Sequence, residues 1–65
     1  MGTDEILAPG DVAEEFKLPE RTLAQWRYLN KGPSYLKVGR HVRYRRRDVE
    51  AWLTSHTVAP SGDAA

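Results

Sequence analysis

The 65-residue sequence predicts one small α+β domain with its elements in the order helix, helix, strand, strand, helix. Two stretches with helical spacing of apolar residues, separated by a break at residues 17–19, predict the paired helices. An alternating stretch around Gly39 predicts a two-stranded hairpin, and a third helical stripe follows it. We expect a flexible arm over residues 1–6, the folded domain over residues 7–57 and a disordered tail over residues 58–65.

The first helix is expected to begin near Pro9, because proline suits the first turn of a helix. Its apolar stripe consists of Val12, Ala13 and Phe16. Leu18 is expected to be buried in the turn that follows, and Pro19 is expected to open the second helix.

The second helix is predicted over residues 20–30. Its apolar side carries Leu23, Trp26 and Leu29. A polar side, spaced at i, i+4 and i+7, carries Arg21, Gln25 and Tyr28. Gly32 is expected to take the left-handed conformation after the last turn, and Pro33 to prevent the helix from continuing.

The hairpin is predicted from apolar residues that alternate with polar ones on both sides of residues 39–40. These apolar residues are Leu36, Val38, Val42 and Tyr44. From the alternation we expect one apolar face and one face that is almost entirely basic.

The third helix is predicted to begin at Arg46 or Arg47 and to end near His56. Its apolar stripe consists of Val49, Trp52 and Leu53. Four aromatic residues fall on apolar stripes and are interpreted as core side chains and not as base-stacking groups, namely Phe16, Trp26, Tyr44 and Trp52.

Charge is strongly segregated along the chain, although the net charge is only +1. Nine of the ten basic residues lie between Arg21 and Arg47, and no acid interrupts them. Residues 1–20 contain six acids and one base, and residues 48–65 contain three acids and no base. A basic block interleaved with aromatic residues is typical of a nucleic-acid-binding surface. A solvated hairpin face is the alternative.

Several other classes of function are not expected. The chain has no cysteine, which excludes disulfides and thiolate metal sites. No spacing of histidines and carboxylates matches a metal site, and no serine with a base partner or glycine-rich phosphate loop is present. The sequence therefore predicts no enzyme activity, no metal, no cofactor and no small-molecule ligand. With no apolar stretch long enough for a membrane span, we expect a cytoplasmic protein that is nucleoid-associated when bound to DNA.

Two short helices joined by a tight turn predict a helix-turn-helix motif, whose second helix enters the major groove of DNA. Its base-reading residues would be Arg21, Thr22 and Gln25, and its backbone contacts would be Arg27 and Tyr28. The hairpin would act as a wing along or inside a minor groove. Its predicted DNA contacts are Lys37, Arg40, His41, Arg43 and Arg45.

Some of these assignments have open alternatives. Arg46 and Arg47 either contact phosphate or anchor the third helix against Glu50 and the acids of the first helix. His41 either pairs with phosphate when protonated or is an exposed neutral side chain. Half-exposed packing roles are open for Tyr28 and Tyr35, and plain solvent exposure is open for Lys31 and Lys37.

Four segments together resemble the MerR-type winged helix-turn-helix: LAPGDVAEEF (7–16), RTLAQW (21–26), YLKVGRHVRY (35–44) and DVEAWL (48–53). They are most similar to its small stand-alone branch of phage excisionases and AlpA-like regulators. Serine or threonine often precedes the first two helices in that family, whereas this chain has Ala8 and Pro19.

The resemblance implies an accessory factor that binds tandem sites on double-stranded DNA, bends them and helps a phage-type integrase to excise DNA. The charge segregation adds the hypothesis of head-to-tail self-association on DNA. A small AlpA-like transcriptional regulator is the alternative function, and a protein-interaction module that binds an acidic partner is a third.

Overall fold

Three helices pack against a three-stranded antiparallel sheet in the computed structural model, which describes residues 4–59. The elements are β1 (Ile6–Leu7), α1 (Pro9–Phe16), α2 (Glu20–Tyr28), β2 (Leu36–Val38), β3 (His41–Arg45) and α3 (Arg46–Ser55). The predicted α+β class is confirmed, as is the order of two helices, a hairpin and a final helix. The structure adds the strand β1, which the sequence did not predict.

Strand β1 pairs antiparallel with β3, so that β3 is the central strand of the sheet. Leu7 lies opposite Tyr44 and is 5% exposed, which places it in the core. Ile6, which we assigned to a flexible arm over residues 1–6, is thus part of a strand, and residues 1–3 lie outside the described part. Two residues are too few for an alternating pattern to be recognised.

The predicted tail is described only in part. Val58 and Ala59 are exposed and belong to no helix or strand, and residues 60–65 lie outside the described part.

The core is formed by one or two residues from each of five elements. Its buried members are Leu7, Val12, Ala13, Leu23, Tyr44 and Val49. The prediction of Tyr44 as a core residue is confirmed. Trp52 stacks on Phe16 with ring centroids 5.5 Å apart and packs against Trp26 at 5.2 Å, and all three side chains are half-buried. These rings form the edge of the core and contact one another.

Leu18 is 37% exposed, so its predicted burial is wrong. It follows a left-handed residue, Lys17, at which the chain turns away from the helix axis. Its side chain lines one rim of an apolar groove with Phe16, Trp26, Trp52 and Leu53.

Helix α1 ends in a Schellman motif. The N–H of Leu18 donates to the carbonyl of Ala13 at 3.0 Å, and the N–H of Lys17 donates to the carbonyl of Glu14 at 3.2 Å. Lys17 takes the left-handed conformation with φ 61°. A residue with a Cβ is strained in this conformation, which glycine adopts freely.

Helix α2 ends in the same way, but earlier than predicted. Asn30, with φ 59°, takes the left-handed position that we expected at Gly32. The N–H of Lys31 then donates to the carbonyl of Trp26 at 2.7 Å. Gly32 is also left-handed, with φ 84°, and a Cβ there would lie 2.9 Å from Cε3 of Trp26. Gly32 is thus required by close packing beyond the helix end.

Replacing Lys17 with glycine should stabilise the domain by about 0.5–1 kcal/mol, because the strain at the end of α1 is relieved. The melting temperature should rise by roughly 2–8 °C for a domain of this size. Ala24→Gly is the matched control, since Ala24 is exposed within α2 and should lose about 1 kcal/mol. Destabilisation by both substitutions would show that the left-handed conformation at Lys17 is not strained.

Candidate nucleic-acid interface

Helix α2 is held by Leu23, which is fully buried, and the opposite side of the helix faces outward. Arg21, Gln25 and Tyr28 are exposed on this side, as their spacing predicts. Tyr28 is 83% exposed, which argues against a packing role. Thr22 is half-buried. The structure thus presents Arg21 and Gln25, two of the three side chains predicted to read base edges, on one accessible face.

The turn between α1 and α2 consists of Lys17, Leu18 and Pro19, which is the short connection that the motif requires. Neither α1 nor α2 has a side-chain cap at its N-terminus, as the sequence departures at Ala8 and Pro19 indicate. The backbone N–H of Ala8 instead donates to Oδ2 of Asp11 at 3.0 Å. The N-terminus of α1 is therefore stabilised by a carboxylate from its own first turn.

The hairpin turns at Gly39–Arg40, with Gly39 in the left-handed conformation at φ 65°. This two-residue turn places Val38 opposite His41 and Leu36 opposite Arg43. Directly opposed residues of an antiparallel pair have side chains on the same face.

The predicted division of the wing into one apolar and one basic face is therefore wrong. Leu36 and Val38 share the outer face with His41 and Arg43, whereas Lys37 shares the core-side face with Val42. The alternation within each strand was correct, but the two strands are out of phase. The wing consequently carries basic side chains on both faces.

The outer part of the wing extends away from the core. Val38 is 54% exposed, and Lys37, Arg40 and His41 are exposed beside it. Arg43 is half-buried, and its Nη1 donates to the carbonyl of Val42 at 2.6 Å. The tip can therefore reach a partner without displacing core residues.

Arg27 is half-buried between α2 and the hairpin. Its Nη1 donates to the hydroxyl of Tyr44 at 2.8 Å, and its guanidinium carbon lies 5.8 Å from the ring centroid of Tyr35. The sequence assigned Arg27 to backbone contacts with DNA and missed both tyrosine contacts. The two-residue turn was the signal for them, because its register brings Tyr35 and Tyr44 to the same face of the hairpin.

Arg46 joins three parts of the fold through carboxylates. Its guanidinium lies 2.6 Å from Glu15 of α1, 3.2 Å from Glu5 and 3.5 Å from Glu50 of α3. Its backbone N–H also donates to the carbonyl of Glu5 at 2.8 Å. These are the contacts that the anchoring interpretation of Arg46 requires.

The two neighbouring arginines also form ion pairs. Arg45 lies 3.3 Å from Asp48 and 3.7 Å from Asp4, and Arg47 lies 3.4 Å from Asp4. Arg47 is nevertheless 71% exposed at its side chain, so it is accessible to a phosphate. Arg45, which we predicted as a wing contact with DNA, lies at the junction of β3 and α3 and is half-buried.

The basic block therefore divides into two parts. Among residues 4–59, the bases from Arg45 to Arg47 all form ion pairs, and those from Arg21 to Arg43 form none. We call the second group the basic surface, which consists of Arg21, Arg27, Lys31, Lys37, Arg40 and Arg43. Unpaired positive charge on a recognition helix and an adjacent hairpin is what a DNA backbone attracts.

Other kinds of site are not seen in the described part of the chain. Within residues 4–59 no group of three or more histidine, aspartate or glutamate side chains could hold a metal ion. No helix in that range has the length and apolar character needed to cross a membrane.

The Glu15–Arg46 pair gives the fold a dependence on pH. Hydrogen bonding to Arg46 lowers the pKa of Glu15 below its ordinary value of 4.5, and the same contact raises the pKa of Arg46. Because the carboxyl pKa is lower in the folded state, the pair stabilises the fold fully above pH 4.5. This contribution is lost as the pH falls through the lowered value.

We therefore expect Glu15→Gln to lower the melting temperature at pH 7 and to flatten its decrease below pH 4.5. Thermal unfolding followed by circular dichroism between pH 7 and pH 3 measures both effects. Glu14→Gln is the matched control, since Glu14 is an exposed neighbour on the same helix. An identical pH profile for wild type and Glu15→Gln would show that the ion pair does not stabilise the fold.

Comparison with known proteins agrees with this geometry. A model of the helix-turn-helix domain family matches residues 6–57, from the first strand to beyond the last helix. None of the curated proteins matches the chain with a significant score. The match covers most of the chain, and the paired helices with an exposed α2 are present in the structure. The chain therefore belongs to the helix-turn-helix domain family and is a DNA-binding domain.

Proposed function

We propose that this protein is an accessory factor of the excisionase type, which binds adjacent sites on double-stranded DNA and bends them. In this role it promotes excisive site-specific recombination by a phage-type integrase, in the cytoplasm and bound to the nucleoid. The observation that carries the proposal is the basic surface, where six bases from Arg21 to Arg43, without an ion pair among residues 4–59, lie on α2, the following loop and the hairpin.

The proposed binding mode places α2 in the major groove. Arg21 lies in the first turn of α2 and Gln25 one turn further on, and both project from the exposed side of the helix that faces base edges in this motif. Arginine pairs with guanine and glutamine with adenine through two hydrogen bonds each. Thr22 lies beside them, and exposed Tyr28 is placed for the sugar–phosphate backbone.

The wing is proposed to enter the neighbouring minor groove. Its tip has Arg40 in the turn, flanked by Lys37 and His41, and all three are exposed. Arginines favour narrow minor grooves, and DNA that narrows its groove on one side bends. We therefore propose that the DNA bends because α2 and the wing bind it at the same time. The protein makes or breaks no covalent bond in this process.

Head-to-tail association on tandem sites is supported by the acidic side of the molecule. A groove between β1 and α1 is lined by Glu5, Asp11, Glu14 and Glu15, together with Lys17 and Arg46. The groove contains more acids than bases, and the wing of a neighbouring copy carries the opposite, positive charge. Such a contact is short-range and salt-sensitive.

Substitutions in α2 and in the wing should have different effects on DNA binding. Arg21→Ala or Gln25→Ala should weaken binding to the preferred site by about 1–3 kcal/mol and relax sequence preference. Arg40→Ala or Arg43→Ala should weaken binding to every duplex and reduce the salt slope by about 0.9 each. Titrations of a selected and an unrelated duplex at several salt concentrations measure these effects.

Lys17→Ala is the matched control for lost positive charge, because Lys17 is an exposed base outside the basic surface. It should leave the affinity and the salt slope for a one-site duplex unchanged. Wing variants that alter sequence preference alone, with an unchanged salt slope, would contradict the assigned roles.

Two adjacent sites should be bound with higher affinity per site than one, and Glu14→Gln should reduce this difference without changing single-site affinity. Gel shifts on one-site and two-site duplexes measure the cooperativity, and energy transfer between labelled duplex ends measures bending. Equal affinity per site would refute head-to-tail association. A straight duplex bound at a single promoter site would favour the small transcriptional regulator over the excisionase.

A further inference from the structure

The contact between Arg27 and Tyr44 connects the two elements proposed to touch DNA. Arg27 lies in the last turn of α2, whereas Tyr44 lies in β3 and is 1% exposed. The hydrogen bond between Nη1 and the phenol oxygen is 2.8 Å long. Tyr35, just before β2, completes the contact, with its ring centroid 6.2 Å from that of Tyr44. The guanidinium thus contacts β3 and the residue that precedes β2, at the base of the wing.

Two different contacts fix the orientation of this guanidinium. One N–H of the guanidinium donates to the hydroxyl of Tyr44, and the guanidinium carbon lies 5.8 Å from the centroid of the Tyr35 ring. A buried phenol requires a hydrogen-bond partner, and a charged donor makes the bond stronger. Because a guanidinium has five N–H donors, most of them stay available for another acceptor. Among residues 4–59, Arg27 has no carboxylate within ion-pairing distance.

The position of Arg27 indicates which acceptor it meets. A recognition helix in the major groove and a wing in the next minor groove are separated by one sugar–phosphate strand. Arg27 sits where α2 and the wing join, and so faces that strand when both elements are engaged. Phosphate oxygens match the forked geometry of arginine and accept two hydrogen bonds from it.

We infer that Tyr44 is a positioning residue for DNA binding, whose buried hydroxyl holds Arg27 as a phosphate clamp between recognition helix and wing. This inference rests on the proposed mode in which α2 and the wing bind DNA together. Tyr44 itself is too buried to touch DNA, so its effect passes through Arg27. An arginine already oriented in the free protein loses less side-chain freedom on binding. The clamp therefore raises affinity for any DNA sequence.

The test is a double-mutant cycle on DNA binding. Tyr44→Phe keeps the ring in the core and removes the hydroxyl, and Arg27→Gln removes the charge. Wild type, both single variants and the double variant are titrated with a duplex selected by the wild-type protein from random sequences, and with an unrelated duplex. Circular dichroism at the binding temperature ensures that only folded protein is compared.

Tyr44→Phe should weaken binding to both duplexes by about three- to tenfold, which corresponds to the loss of orientation of one long side chain. Arg27→Gln should weaken binding further and reduce the salt slope by about 0.9, the value for one phosphate. In the Arg27→Gln background, Tyr44→Phe should have no additional effect. Thr54→Val is the control for loss of a hydroxyl, because Thr54 is exposed on α3 and lies outside the basic surface; the affinity of this variant should equal that of wild type.

The inference is overturned if Tyr44→Phe weakens binding equally with Arg27 and with Gln at position 27, since the hydroxyl then acts only through core stability. It is also overturned if Arg27→Gln leaves the salt slope unchanged, since Arg27 then contacts no phosphate. Failure of the wild-type protein to bind either duplex is a separate result. That outcome would refute the proposed function, whereas normal wild-type binding without coupling would refute the clamp alone.

Discussion

The whole arrangement depends on the pairing of β3 along both of its edges. β1 holds one edge, and β2 holds the other through a turn of only two residues. This register fixes which side chains of the hairpin face the core, and it places Tyr44 there between Leu7 and the base of the wing. Because α3 begins at Arg46, immediately after β3 ends, the same strand also sets the position of the last helix.

Acidic and basic residues are separated along the chain, and β3 converts this into a separation in space. The bases from Arg21 in α2 to Arg43 in the middle of β3 form no ion pairs within the described residues. At its end the arginines contact acids just before β1, in α1 and in α3, and Arg46 alone contacts three of them. The acids of the N-terminal segment therefore neutralise the part of the basic block nearest the core. They leave the outer part free to attract a polyanion.

Much of this fold could be predicted from local sequence. Proline at position 9 and at position 19, and Gly39 in the turn, mark boundaries that depend only on nearby backbone geometry. The two faces of the wing could not be predicted from alternation alone, because alternation within each strand does not show how the two strands are aligned. The two-residue turn contained that information, and applying it would have paired Leu36 with Arg43.

Other features could not be read from neighbouring residues. The ion pair between Arg46 and Glu5 joins positions 41 residues apart, and β1 is too short to show a period. Arg27 follows the buried Leu23 by four residues and so lies on the inward side of α2, but the two tyrosines that half-bury it come from the hairpin. The exposed side of α2 was correctly identified, because a helix with one buried residue such as Leu23 defines its outward face by geometry alone.

The central claim is that α2 and the wing engage the DNA backbone together through the basic surface. The salt dependence of duplex binding by the wild-type protein tests it most directly. Engagement of most of the six unpaired bases predicts a slope of log K against log salt between roughly −3.5 and −5.5. A slope near −2 would mean that only one of the two elements touches the backbone, and that result would contradict the account.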